Sequence, residues 1–262
     1  ADPLAYPTTA LGPGWRHSFA AALTLPSQTG GENGFVIYEA PSGNRLRFHD
    51  DGLASTILDP LPGIRATLMR NGGNYTLTLR DQTVVRFDAQ GRLIEQIDPE
   101  GHSQHLSYYA APGSVWDGQL ERVTDSATQR SLTFSYTSVA GQPRLQAVNN
   151  PLNQAVQFSY TAGGDLASIT DLRGGVTTYA YAGSSHLLAS VQDPLSVTRL
   201  STSYDAERRV SSQVDANGLT TTYTYADTPA GRETAITRQA GGMPPDVTID
   251  HYRVDRSLRF QE

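Results

Sequence analysis

His102 and His105 follow closely on Asp98 and Glu100, and histidine nitrogens beside carboxylate oxygens are a common donor set for a divalent metal. On an extended strand, however, residues three apart point to opposite faces. The four side chains therefore read as ordinary polar groups on and beside a strand. Asp215 and Asn217 would offer oxygens to calcium, but Asp and Asn are also the expected turn formers, their side chains bonding the backbone two residues on. His17 and Ser18, with one of the aspartates, hold the ingredients of a hydrolytic triad. Adjacent strand residues cannot both converge on one point, and no nucleophile-elbow glycine pattern surrounds Ser18. The glycine pairs Gly30-Gly31, Gly163-Gly164 and Gly174-Gly175 punctuate strand-like runs and introduce no helix, so they do not cradle a phosphate. The expectation is a non-enzymatic chain with no catalytic residues, no metal site and no cofactor.

The elements that carry these residues repeat. Six times a Leu or Val is followed five residues on by Asp or Asn, and ten or eleven residues later by Tyr. The anchors are Asp98, Asp125, Asn150, Asp171, Asp193 and Asp215, at intervals of 27, 25, 21, 22 and 22 residues. The tyrosines are Tyr108, Tyr136, Tyr160, Tyr181, Tyr204 and Tyr225. A fixed period of this length is the signature of a stack of one small unit. In the copy Leu166–Tyr181, runs rich in Ile, Val, Thr and Tyr flank a turn containing Asp171, Gly174 and Gly175. β-Branched and aromatic residues suit a pleated surface, and Asp with Gly supplies turn geometry, so each unit reads as one β-hairpin. Phe134 and Tyr136, Phe158 and Tyr160, Tyr179 and Tyr181, and Tyr223 and Tyr225 are two apart, which puts each pair on one face. A lone hairpin is marginal in water, so neighbours must stabilise each unit.

The chain has 262 residues, 24 Gly, 15 Pro and only 18% charged residues, which fits a turn-rich all-β protein. No segment shows sustained helical periodicity, and no apolar run is long enough to cross a membrane. A net charge of −6 argues against nucleic acid as a partner. With no cysteine, disulfides and zinc–thiolate sites are excluded. Residues 1–86 break the 22-residue rule and read as an N-terminal β-rich entry or capping region, with Trp15 and Phe19 as packing anchors and Arg16 and His17 as hydrogen-bonding partners. Residues 87–262 read as the repeat strip, loosening after Asp227 and interrupted at Pro244-Pro245.

The units resemble the tyrosine–aspartate (YD) repeats of the RHS family. Gly91-Arg92-Leu93, Asp98-Pro99-Glu100-Gly101 and Tyr108 match one unit, and Tyr204-Asp205 through Val210, Asp215-Ala216-Asn217-Gly218, Tyr223 and Tyr225 match another. The segment Gly12–Phe19, GPGWRHSF, is similar to the start of the region that precedes the repeats in bacterial members. The resemblance implies an all-β fold of stacked β-hairpin YD repeats forming a curved or spiralling sheet, a fragment of a hollow shell. It further implies, as in bacterial polymorphic toxins, insecticidal toxin complexes and teneurins, a secreted, injected or cell-surface protein. Its partners would be further repeats and a C-terminal toxin domain of the parent chain, enclosed for delivery.

The family's self-cleaving aspartate segment has no match here. About nine hairpins at ~4.8 Å per strand make a ribbon of roughly 85 Å, too short to close around a folded toxin, so a fragment or truncated member is expected. The alternative reading is an extracellular module whose tyrosine ladder binds carbohydrate or a cell-surface partner. Self-association through the edge strand Val247–Phe260 is also expected, because an unpaired edge recruits other chains.

Overall fold

The computed structural model describes residues 8–28, 31–52, 56–228, 231–240, 246–254 and 260–261, and every regular element among them is a β-strand. The chain divides into two compact units, residues 1–166 and 167–262. In both, strands pair antiparallel with their neighbours in chain order, and among the described residues no ladder pairs the last strand with the first. The architecture is the expected all-β stack of hairpins.

In the first unit the non-repetitive region contributes Phe35–Glu39, Arg45–His49, Ile57–Pro60, Thr67–Asn71, Asn74–Thr78 and Val84–Phe87. Val84–Phe87 pairs directly with Leu93–Ile97, the first strand of the repeats, so entry region and strip share one continuous ladder. The inward positions alternate along most of these strands, as a half-buried sheet requires, whereas in Phe35–Glu39 the successive Val36, Ile37 and Tyr38 are all buried. The inward positions include Phe48, Leu68, Leu77, Phe87 and Leu93, all under 2% exposed. Burial of such side chains stabilises by about 1.5–3 kcal/mol each, which makes this unit's core its main source of stability.

The second unit carries the same pattern with a shallower burial. Along Val176–Tyr181 exposed and half-buried residues alternate, and the half-buried ones are Thr177, Tyr179 and Tyr181. The strands Thr220–Thr228, Gly231–Gln239 and Asp246–Val254 are nine residues each and pair without any break in register. Of the expected edge Val247–Phe260, Arg253 and Val254 pair with Gln261 and Phe260. Residues 255–259, and Pro244-Pro245 before them, lie outside the described residues.

Turn chemistry sets the repeat. In the Asp215 turn, the Asp215 N–H donates to the Leu219 carbonyl and the Gly218 N–H returns to the Asp215 carbonyl, both at 3.1 Å. The carboxylate Oδ1 then accepts the N–H groups of Asn217 at 2.8 Å and Leu219 at 3.0 Å. Asn150, Asp171 and Asp193 accept the corresponding pairs of N–H groups. This closure requires a left-handed residue three after the anchor. Gly101, Gly174 and Gly218 supply it, but so do Asn153 (φ 62°) and Ser196 (φ 61°). For a residue with a Cβ this conformation is unfavourable by roughly 1–2 kcal/mol. Ser196→Gly should therefore raise stability, by up to about 1 kcal/mol after glycine's entropy cost is offset. Gly218→Ala, whose added Cβ meets nothing within 4 Å, should lower it by about 1 kcal/mol. Urea midpoints of the two variants check both signs.

Candidate functional site

The repeat's recurring spacing ends in a hydrogen bond. The Tyr108 hydroxyl donates to the Leu93 carbonyl at 2.6 Å, Tyr136 to Leu120 at 2.8 Å and Tyr160 to Leu145 at 2.7 Å. In the second unit Tyr204 donates to Leu188 and Tyr225 to Val210, both at 2.7 Å. Each acceptor is the Leu or Val that opens the tyrosine's own repeat, so the ring reaches back across its hairpin and clasps the strand on the far side. The ladder slips at the same tyrosines: Tyr108 faces Leu120, Tyr136 faces Leu145, and Tyr204 faces Val210, each beside a register shift. A bulge of this kind disrupts the ladder locally and increases twist. One ring thus pairs with the next repeat's opening residue while its hydroxyl closes its own. Burial raises the Tyr108, Tyr136 and Tyr160 hydroxyls well above the ordinary phenol range, so they remain donors.

Two copies add a cation. Arg92 bonds the Asp88 carboxylate at 2.7 Å and lies 4.9 Å from the Tyr108 ring centre. Arg209 bonds Asp205 at 2.7 Å and lies 4.3 Å from the Tyr225 ring centre. Both belong to turns of one pattern, Asp88-Ala-Gln-Gly-Arg92 and Asp205-Ala-Glu-Arg-Arg209. An arginine over a tyrosine face is favourable by about 0.5–1 kcal/mol at exposed sites, which applies to Arg92. Sequence reasoning anchored the repeat on the other edge's aspartates and missed the role of Asp88, Arg92 and Arg209. The shared turn pattern was the available signal.

The entry segment is held on the turns of the first unit. The Leu145 N–H donates to the Ala10 carbonyl at 2.7 Å, and the Leu23 N–H to the Gly91 carbonyl at 2.8 Å. Arg144, 4% exposed, donates to the Gly164 carbonyl at 3.1 Å and reaches the Thr9 carbonyl at 3.5 Å. A Cβ on Gly12 would stand 2.6 Å from the Gly164 oxygen, and one on Gly91 would stand 2.2 Å from the Leu23 oxygen. Both glycines are therefore required by close backbone approach. Trp15 and Phe19 pack against the hydrophobic core, and Phe19 meets Phe134 edge-on at 6.2 Å. Arg16 pairs with Glu39 at 3.1 Å.

The chemistry-bearing residues occupy structural positions. His17 accepts the Phe19 N–H on Nδ1 at 3.2 Å and lies against Phe134, so its basic nitrogen is already engaged. Asp215 Oδ1 is bonded by two backbone N–H groups. Asp98, Glu100 and His102 do bring one ligand atom each within 4.8 Å of one another. His102 Nδ1 nevertheless lies 2.9 Å from Asp98 Oδ2, and this bond and charge raise the histidine above its ordinary value, favouring the imidazolium over a metal-binding ring. His105 is turned to Glu95, 3.5 Å away. Asp125 accepts both the N–H and the hydroxyl of Thr128. No helix among the described residues is long and apolar enough to cross a membrane.

No protein-family model and no curated protein matches the chain. Solved structures do. The chain is similar over 92% of its length to a TcdB2-TccC3-Cdc42 structure, at 13% identity and a TM-score of 0.37, covering 14% of that chain. It is similar over 86% to a Tc holotoxin pore of Photorhabdus luminescens, at 13% identity and 0.44, covering 14%. A TcdB2-TccC3 structure without its hypervariable C-terminal region matches over 87%, at 13% and 0.43, covering 16%. The chain thus spans about one seventh of each of these three solved chains. The long antiparallel sheet of stacked hairpins is consistent with the RHS resemblance of the residues.

Tyr136→Phe keeps the ring and removes the donor from a part-buried carbonyl. It should cost about 1–3 kcal/mol. Tyr223→Phe, which loses only a 3.2 Å contact to the Gln213 side chain, should cost less than about 1 kcal/mol. Chemical denaturation of both variants separates the clasping hydroxyls from the others.

His17 generates a pH dependence. Burial lowers it from 6.5 to about 4, so on acidification the unfolded chain takes up the proton first. The stability tied to the neutral ring is intact above about pH 6.5 and is lost progressively down to about pH 4, reaching about 3 kcal/mol. His17→Leu should remove this slope between pH 6.5 and 4, as unfolding midpoints across that range would show. The fall below pH 4 should persist, because Asp125 and Asp193 are held ionised by their turn hydrogen bonds.

Proposed function

We propose that this chain is a structural segment of an RHS-type shell, a non-enzymatic strip that helps to enclose a C-terminal toxin domain of its parent protein for delivery outside the producing cell. The observation that carries the reading is the tyrosine clasp, repeated with the same donor and acceptor positions in five copies. A clasp that pairs with the next repeat while closing its own can be extended without limit, as a wall requires. The docked entry segment supports the same reading, because a strip of this kind must begin by covering its first inner face. His17, Asp125 and Asp215 are engaged in turns and packing, in keeping with a wall.

The carbohydrate-binding reading is the weaker one. The hydroxyls that sugars would bond are directed at backbone carbonyls in those same five tyrosines, and Tyr108, Tyr136, Tyr160, Tyr204 and Tyr225 are half-buried.

Protease protection of the parent protein tests the shell. The region that follows residue 262 in the parent should resist protease while the strip is folded, and become sensitive when Tyr136→Ala and Tyr204→Ala together open it. Digestion of that region at the same rate in both proteins would remove the enclosing role.

A further inference from the structure

Between the Asp125 and Asn150 turns of the first unit lies a cleft of about 390 Å³. Phe19 from the entry segment, Val123, Leu132 and the exposed Leu152 give it an apolar floor and wall, and Asp125 and Arg130 line its rim. Asp125 and Arg130 face each other across one turn, the Asp125 N–H donating to the Arg130 carbonyl at 2.9 Å. Their side chains nonetheless form no ion pair, and the Arg130 guanidinium has no hydrogen-bonding partner among the described residues. The Asp125 carboxylate uses Oδ1 for Thr128, and its Oδ2 accepts no hydrogen bond among the described residues. Two unlike charges thus stand apart at the mouth of one apolar hollow.

We propose that this cleft binds a free α-amino acid with a large apolar side chain, its ammonium on Asp125 Oδ2, its carboxylate on the Arg130 guanidinium and its side chain on the Phe19–Leu132 floor. Only a small ligand carrying both signs at one end and an apolar body at the other answers all three features. An internal peptide segment has neither charge, a fatty acid leaves Asp125 unanswered, and glycine leaves the floor empty. The guanidinium presents paired N–H groups suited to a carboxylate, and the cleft volume falls within the range of small-molecule sites. Hydrogen bonds from Thr128 hold the Asp125 carboxyl below the usual carboxylate range, so the ammonium's partner is ionised at neutral pH. The inference is independent of the shell reading.

Calorimetric titration of the purified chain with L-phenylalanine tests it, with N-acetyl-L-phenylalanine lacking the ammonium, L-phenylalaninamide lacking the carboxylate, and glycine as comparators. Phenylalanine should bind in the millimolar range, and each comparator about tenfold more weakly or worse. Asp125→Asn, which keeps an acceptor for Thr128, should weaken phenylalanine about tenfold and leave the N-acetyl form unchanged. Arg130→Gln should weaken phenylalanine similarly and leave the amide unchanged. Unfolding midpoints of both variants confirm that the turn is retained. Absence of phenylalanine binding up to about 50 mM overturns the proposal, as does equal binding of the blocked forms.

Discussion

A β-ladder that slips leaves backbone groups facing nothing, and a buried carbonyl without a donor costs on the order of 1–3 kcal/mol. This chain slips its ladder in most repeats, and at the slips beside Leu120, Leu145, Leu188 and Val210 a tyrosine supplies what the backbone withholds. The spacing of 15 or 16 residues between the opening Leu or Val and its tyrosine is the distance around one hairpin and back. The spacing within each hairpin is therefore tied to the reach of one side chain, while the interval from one repeat to the next varies from 21 to 27 residues with the connecting turn.

The hairpins were legible because their residue types and their geometry agree at the same positions. Asp171 with Gly174 is readable as a turn, and Val176–Tyr181 is readable as a strand. The slips were not, since a bulge leaves no mark in a pattern of apolar alternation. Phe134 and Tyr136 sit two apart as a simple strand would have them, yet they pair with Val148 and Leu145, three apart. The spacing rules predict a face and say nothing about a register. Arg144 was equally hidden. Its burial depends on Thr9 and Gly164, 135 and 20 residues away, and no local window contains those partners.

The residues that first suggested chemistry show why composition alone misleads in a turn-rich protein. Carboxylates, amides and histidines gather at hairpin ends because such side chains imitate backbone acceptors there. Asp98, Glu100 and His102 come within ligand distance of one another for that reason: one turn bends three polar residues together. What distinguishes a turn from a site is whether the lone pairs point inward to the backbone or outward to a guest. Asp193 and Asp215 point inward with the same oxygen, Oδ1.

The entry segment also constrains the order in which the molecule forms. The Ala10 carbonyl receives the Tyr160 hydroxyl, 150 residues later in the chain, whereas each hairpin closes over a handful of residues. During synthesis, at 5–20 residues per second, that partner emerges on the order of ten seconds after Ala10. Hairpins close in microseconds. The strands between Ala10 and Tyr160 can therefore pair one by one before the entry segment docks, and Ala10 gains this partner only after many hairpins have closed. A sheet assembled in this order gains its longest-range contacts after its local ones.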